Sequence, residues 1–478
     1  MSRRRPAFEK TVRVRPVERR VSRRIGDAGE IHQGLGPVAV AGQTRRCITC
    51  CIPRCADSCP LGNDIPTWMD LLREGLVTEA ARVLALTNPL PEVTGRICPA
   101  DRLCEGACAV GDRTGAVTIQ YAERFLAGIA LECVMPEIEA SIRPLDTSVA
   151  VVGSGPAGLS CAEFLSRAGH RVTVMEKEPV AGGLPATTIP GFKLEKGLLN
   201  RRLEALERRG VEFRLGAEVG TSMSMQELRD GYDAVFIATG AHHAIDIPDA
   251  PGRELENVLG AEEFLRAFNR GEGRRGPGKA VVLGGGDSAM DCARAAVRLG
   301  YSPVTCAFRE SEELRPGSPS EYRVARAEGV RMLPGFGPTR FRGDGAAAVR
   351  AVALTGVECV PSDGAPEFWR VPGEGKSLDA DLVVVSFGFR PRAPEFCAPA
   401  GIDRGGRDGV RVDRGMMTSL PGVFAGGDCT GEAGLVCKAL AHGRRAARSI
   451  DEYLREGRGQ AAMPAPSPGV CTDERVLN

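Results

Sequence analysis

Four short apolar runs set the expected architecture of this chain. "SVAVVGSG" begins at Ser148, "DAVFIATG" at Asp233, "AVVLGGG" at Ala280 and "LVVVSFG" at Leu382. Each is continuous rather than alternating, as expected of a strand buried on both faces of a parallel sheet. Helical patterns lie between them, and that alternation predicts parallel α/β units. The first and third runs open glycine-rich turns at Gly153 and Gly284, as if one nucleotide-binding unit were used twice. "NRGEGRRGPGK" reads as a connector before the second unit. "LVCKALAHGRRAARSIDEYL" places Leu435, Ala439, Leu440, Gly443, Ala446, Ala447 and Ile450 on one stripe, which predicts a last helix. Residues 458–478 then read as a disordered tail. Residues 1–140 have another texture, with short helical stretches such as "PTWMDLLREG" set among cysteines.

Composition narrows the function classes. At 478 residues the chain has room for roughly three domains of about 150 residues. Its 60 glycines and 5% aromatic content favour nucleotide sites lined by backbone over sites lined by rings. A formal net charge of +1 argues against nucleic acid as the main partner. No apolar run reaches the ~18 residues needed to span a bilayer. The basic start, "MSRRRPAFEKTVRVRPVERRVSRR", lacks the apolar core of a secretory signal, and Glu9 and Glu18 speak against a transit peptide. It reads as a mobile basic arm, and a cytoplasmic location is the expectation.

The first glycine turn carries a full dinucleotide fingerprint. Gly153, Gly155 and Gly158 form G-x-G-x-x-G between a strand and a helix. Such glycines give a tight turn, close approach of backbone to a pyrophosphate, and close helix–strand packing. Pro156 and Ala157 open the helix, whose N-terminal dipole favours phosphate. Glu176 ends the next apolar strand, where a carboxylate can accept from ribose hydroxyls. Far downstream, "GVFAGGDCTGEAGL" places Gly427 and Asp428 between a strand and a helix. Alone, Asp428 reads as an ordinary N-cap. With the fingerprint and with Gly240 of "DAVFIATG", the set resembles the two-dinucleotide-binding flavoprotein reductases. That resemblance implies FAD, with Glu176 at its ribose and Asp428 at its ribityl chain. It also implies a split FAD domain, residues 141–250 and 381–457, with a nicotinamide-nucleotide domain inserted at 251–380.

The second turn repeats the logic with Gly284, Gly286 and Ala289, and with Asp287 and Ser288 at the helix start. Its following strand, "PVTCAFR", ends in Arg309, suited to a 2′-phosphate. Glu310 comes next, and a carboxylate about 4 Å from a phosphate is unfavourable by roughly 1 to a few kcal/mol. Arg315 can supply further charge. NADPH and NADH both remain open.

Eight of the 17 cysteines fall between Cys47 and Cys108. In a long chain with no secretory signal, such a group reads as metal binding rather than as disulfides. Zinc favours paired C-x2-C knuckles. The run Cys47-x2-Cys50-x4-Cys55-x3-Cys59-Pro60 instead ends like a bacterial ferredoxin run, whose fourth cysteine ligates the other of two clusters. By that logic one cluster takes Cys47, Cys50 and Cys55, completed by Cys108. The other takes Cys59, Cys98 and Cys104 and lacks a fourth ligand. Cys51 adjoins Cys50 and would have to point away from it, so a non-cysteine ligand is expected.

Together, "RCITCCIPRCADSCPLGNDIP", "TNPLPEVTGRICP", "CEGAC", "VTIQYAER", "VVGSGPAGLS", "GFKLEK", "GGGDSAMDCARAAVRLG", "LRPGSPSEYRVARAEGV", "FGFRP" and "FAGGD" resemble the small (beta) subunit of glutamate synthase. Related modules occur in dihydropyrimidine dehydrogenase and in NADH-dependent ferredoxin:NADP oxidoreductases. The resemblance implies an α/β fold of two Rossmann-like domains preceded by an all-α Fe–S domain. It implies FAD, NADPH or NADH, and two 4Fe–4S clusters, with Glu123 completing the second. It implies glutamate formation only with a large subunit or a similar FMN/Fe–S acceptor protein as partner. Three departures stand out: Cys51 in place of a glycine, Glu310 after Arg309, and "GGLPATTIP" (Gly182–Pro190, including Gly183) beside the expected flavin ring. Two rivals stay open, a reductase serving pyrimidines or ferredoxin and a zinc-stapled scaffold without redox activity.

Overall fold

The computed structural model describes residues 11–241, 243–345, 347–360, 367–432 and 434–457. The expected tail at 458–478 lies outside the described residues. A helical domain comes first. Its helix Ile65–Glu74 starts where the Asp64 side chain accepts from the Thr67 N–H and stops at Gly75, whose φ is 82°. Buried Ile65, Trp68, Met69 and Leu72 fall on one face. They pack with Leu84 of Val77–Thr87 and with Ile119, Ala122 and Leu126 of Ile119–Ile129.

Two five-stranded parallel sheets follow. The first has the spatial order Val423–Ala425, Ala234–Ile237, Ser148–Val152, Arg171–Glu176, Glu212–Leu215. The second has the order Val258–Gly260, Leu382–Val385, Ala280–Leu283, Val304–Phe308, Arg331–Pro334. Both therefore put a glycine-turn strand at the centre. Leu382–Val385 pairs with Ala280–Leu283, so the second sheet runs past the boundary expected at residue 380. The chain returns through Phe389–Arg390, which pairs antiparallel with His243–Ala244. A three-stranded antiparallel sheet, Phe336–Gly343, Val349–Val360 and Glu367–Asp379, is an element that the apolar pattern does not announce.

The N-terminal arm is not free from Thr11 onward. Arg24 is buried and pairs with Glu328 of the second unit at 2.9 Å and with Glu18 at 2.7 Å. Arg46 donates to the Thr11 carbonyl, and the Thr118 hydroxyl donates to the Val14 carbonyl. The arm is thus anchored by a distant acceptor at Arg24 and by distant donors at the Thr11 and Val14 carbonyls. Among the described residues no helix is long and apolar enough to cross a membrane.

Two close contacts fix the first unit. The last helix, Val436–Glu456, crosses Pro156–Ala168 at Gly443, where a Cβ would meet the Ala157 carbonyl oxygen at 2.1 Å. Arg202 is fully buried and grips Glu92 with two bonds of 2.8 and 3.0 Å. Its other nitrogen lies 3.9 Å from Glu163. Burial disfavours an ionised Glu163, yet Arg167, Arg209 and Arg202 hold its carboxyl well below the usual range. Arg202→Ala is expected to destabilise the protein by about 3–5 kcal/mol, because Glu92 is left as an unpaired buried charge. Gly443→Ala is expected to lower the thermal midpoint as well, because backbone must move. Thermal unfolding of both purified variants checks this.

Candidate dinucleotide clefts and cysteine groups

The first glycine turn opens on a cleft of about 620 Å³. Gly153, Gly155, Pro156, Ala157, Glu176, Gly183, Gly240, Gly427 and Asp428 all line it. The three fingerprint glycines do different things. Gly153 has φ 104°, and a Cβ there would meet the Ala238 carbonyl oxygen at 2.5 Å. At Gly158 a Cβ would sit 1.9 Å from the Gly153 carbonyl oxygen. At Gly155 nothing lies within 4 Å of a built Cβ. Gly153 and Gly158 make the turn, and Gly155 leaves room for a ligand against the helix start. That combination fits a bound pyrophosphate.

Glu176 accepts from the Ser154 N–H and the Glu178 N–H, both at 2.9 Å, and from the Ser154 hydroxyl. Gly182 N–H donates to the Ser154 hydroxyl oxygen at 2.9 Å. The carboxylate thus ties the glycine turn to the loop before the altered stretch. Asp428 accepts from the Gly434 N–H at 2.8 Å, and Gly427 has φ 77°. Leu184, Pro185, Thr187 and Ile189 of the altered stretch line the cleft. Lys196 donates to the Pro185 carbonyl at 2.7 Å and to the Ile189 carbonyl, and Asn269 donates to the Thr187 carbonyl at 2.9 Å. Burial pulls the Lys196 amine down to about 8. Sequence reasoning missed these two supports, because a donor to backbone carbonyls leaves no motif.

The second turn repeats the pattern. A Cβ on Gly284 would meet the Ser386 carbonyl oxygen at 2.1 Å, whereas Gly286 faces open space. Asp287 and Ser288 line the first cleft, so the two glycine turns border shared space. Asp287 also accepts from the Ser318 N–H at 2.6 Å and its hydroxyl at 2.9 Å. Ala289 is buried, where the first turn has Gly158. The two arginines are elsewhere engaged. Arg309 lies over the Phe368 ring at 3.8 Å, with Glu310 at 3.4 Å. Arg315 lies over the Tyr322 ring at 4.0 Å and donates to the Glu312 carbonyl.

The cysteines sort into two groups. Cys47, Cys50, Cys55 and Cys108 line one cavity with Ile65, Met69 and Val117. Burial pushes the Cys55 thiol up to about 12, with Cys47 and Cys108 adding to it. The Val117 N–H points at the Cys108 sulfur at 3.5 Å, a contact of the kind that tunes cluster sulfurs. Cys51 is exposed. In the second group, Cys59, Cys98 and Cys104 each feel the charge of Glu123. Glu123 is buried on the same stripe as Ile119, Ala122 and Leu126. It accepts from the Asn88 amide at 3.2 Å and the Thr94 hydroxyl, and burial pushes its carboxyl up to about 7.

Cys437, in the first turn of the last helix, joins this second group. It shares one core with Cys59 and Cys98. No local spacing marks it. The second group also borders the dinucleotide cleft, whose wall includes Ile97 and Pro99 on either side of Cys98, and Val436 before Cys437. A zinc knuckle closes its sulfurs on one point at about 2.3 Å. Among the described residues no three His, Cys, Asp or Glu side chains are arranged to hold a single metal ion. Four thiols ringing a cavity fit a cluster with its own volume better.

Comparison with known proteins agrees with this geometry. The family described as pyridine nucleotide-disulphide oxidoreductase matches residues 147–443. Dihydropyrimidine dehydrogenase domain II, 4Fe-4S cluster, matches residues 24–134. The chain is 38% identical to the glutamate synthase [NADPH] small chain of Escherichia coli, over 92% of this chain and 97% of that one. It is also 38% identical to the putative oxidoreductase UacF of Escherichia coli, over 88% of this chain and 69% of that one. Among solved structures, Mycobacterium tuberculosis FprA in complex with NADPH aligns at a TM-score of 0.56 and 20% identity, over 67% and 88% of the two chains. Lactococcus lactis thioredoxin reductase aligns at 0.50 and 23%, over 65% and 100%. These two likenesses concern the fold. With its FAD/NAD(P) units and its 4Fe–4S domain in one chain, this protein belongs to the glutamate synthase small chain family of FAD-dependent oxidoreductases.

Proposed function

We propose that this chain is the electron-input subunit of a glutamate synthase, oxidising NADPH and delivering electrons to a large subunit that forms glutamate. The observation that carries the reading is the adjacency of the second cysteine group to the dinucleotide cleft, with Cys98 set between the cleft residues Ile97 and Pro99. When bound, FAD accepts a hydride and releases its two electrons one at a time, while 4Fe–4S clusters carry electrons singly.

The chain's own residues hold and orient these groups. The Gly155 turn receives the FAD pyrophosphate, Glu176 orients the ribose, and Asp428 the ribityl chain. Leu184, Pro185 and Val436 give the cleft part of its apolar wall. The Gly286 turn, with Asp287 and Ser288, receives the nicotinamide nucleotide. Arg309, stacked on Phe368, and Arg315, stacked on Tyr322, are the charges that would meet a 2′-phosphate. The small chains named as NADPH enzymes support that donor. Cys47, Cys50, Cys55 and Cys108 hold one 4Fe–4S cluster. Cys59, Cys98 and Cys104 hold a second, with Glu123 as its fourth ligand.

A second reading, a reductase serving another acceptor, is favoured by the equal identity to the putative oxidoreductases UacF and AegA. The deciding experiment adds NADPH to the anaerobic protein, follows flavin bleaching, then supplies a glutamate synthase large subunit with glutamine and 2-oxoglutarate. Glutamate formation supports the first reading. Bleaching without glutamate, together with capture of a pyrimidine-reducing subunit from the host, establishes the second.

Two variants test the site. Gly155→Ala adds a Cβ that meets nothing within 4 Å, so the fold should keep its thermal midpoint while FAD content falls at least about tenfold. Arg309→Ala should raise KM for NADPH by about tenfold, the loss of roughly one charged contact, and leave KM for NADH unchanged. Steady-state kinetics with both donors measures this.

A further inference from the structure

The antiparallel sheet of Phe336–Gly343, Val349–Val360 and Glu367–Asp379 gives no residue to the 620 Å³ cleft. It nevertheless reaches the second nucleotide unit. Phe368, opposite Cys359 on the neighbouring strand, has its ring centroid 3.8 Å from the guanidinium carbon of Arg309. An edge-on guanidinium at that separation would drive a nitrogen into the ring, so the two stack face to face. Backbone bonds hold the sheet in that place. The Gly335 N–H donates to the Glu310 carbonyl at 3.1 Å, and the Val357 N–H donates to the Gly335 carbonyl at 2.8 Å. Val357 pairs in turn with Arg370, two residues from Phe368. Arg309 itself follows Phe308, whose side chain would meet a Cβ on Gly285 at 3.3 Å. The stacked arginine therefore emerges beside the second glycine turn.

Resting on the reading above that Arg309 meets the 2′-phosphate, we propose that Phe368 is a positioning residue that sets the preference for NADPH over NADH. It holds the guanidinium by its face and so keeps its edge free. A guanidinium carries all five N–H donors in its plane. Stacking uses the face and leaves those donors to a phosphate, which takes parallel N–H bonds. The competitor is Glu310. Its carboxylate stands 3.4 Å from the Arg309 Nε, beyond the length of a good hydrogen bond. Among the described residues no hydrogen bond engages the two terminal nitrogens of Arg309, and its side chain is 59% exposed. Without the ring the guanidinium can turn its edge onto Glu310, and a phosphate must then displace that carboxylate. NADH carries an uncharged hydroxyl where NADPH carries the 2′-phosphate, so the ring acts on the choice between the two. The sheet thereby offsets the unfavourable carboxylate that follows Arg309.

The test measures kcat/KM for NADPH and for NADH on full-length holoprotein, with ferricyanide as electron acceptor, and reads their ratio. Both donors meet the same folded fraction, so partial misfolding of a variant cancels. A cation–ring contact at an exposed site is worth about two- to fivefold in an equilibrium. Phe368→Ala should therefore lower the NADPH-to-NADH ratio about threefold, through KM for NADPH rather than kcat. Phe368→Trp should keep the wild-type ratio, because an indole face also stacks on a guanidinium. On an Arg309→Ala background, Phe368→Ala should change the ratio no further. An unchanged ratio in Phe368→Ala overturns the proposal, and so does a fall of the same size with and without Arg309. An unchanged ratio in Arg309→Ala would overturn instead the 2′-phosphate reading on which the proposal rests.

Discussion

One buried guanidinium sets the position of everything that matters for electron flow. Arg202 grips Glu92 in the helix that runs directly into Cys98, and it lies beside Glu163 in the helix that begins at the first glycine turn. Both carboxylates are buried, and Glu163 is also paired with Arg167 and Arg209. The pairing is therefore worth keeping only in one geometry, and that geometry fixes a cysteine group against a nucleotide turn. Ion pairs of this kind add little net stability but are costly to break. Here the constraint sets registry between domains, alongside the bonds of Arg167 to the Ala85 carbonyl and of Arg444 to the Thr87 carbonyl.

Much of the arrangement was legible in the sequence because its parts are local. The two glycine turns declared themselves by spacing, and the structure explains each glycine by a carbonyl oxygen too close for a Cβ or by open space. The sorting of Cys47, Cys50 and Cys55 with Cys108 came from ligand-exchange logic. Glu123 needed a family resemblance, yet its own helix carried a signal: a carboxylate at the same face as Ile119, Ala122 and Leu126 is a charge in a core position. Periodicity alone was enough to mark it as unusual.

What was not legible depends on partners distant in the chain. Cys437 has no neighbouring cysteine, and it shares a core with Cys98 because the last helix packs against Pro91–Ile97. The basic arm looked mobile because its acceptors, Glu328 among them, belong to the second unit. The antiparallel sheet was invisible because most of Glu367–Asp379 is exposed and carries no continuous apolar run. The boundary near residue 380 failed for a different reason. An apolar strand that could serve either sheet says nothing about which one it joins, and Leu382–Val385 joins the second.

The split of the first unit bears on how the protein is made. Val423–Ala425 pairs with Ala234–Ile237, and the helix that follows it packs on Pro156–Ala168. The first sheet therefore stays one strand short on the ribosome until the entire second unit has emerged. Closing that long loop is entropically slow, whereas the second sheet forms from a continuous stretch. Completion of the two nucleotide units thus follows the order of electron transfer: the unit that receives the nicotinamide nucleotide can finish first, and the flavin unit is sealed after it by the last helix.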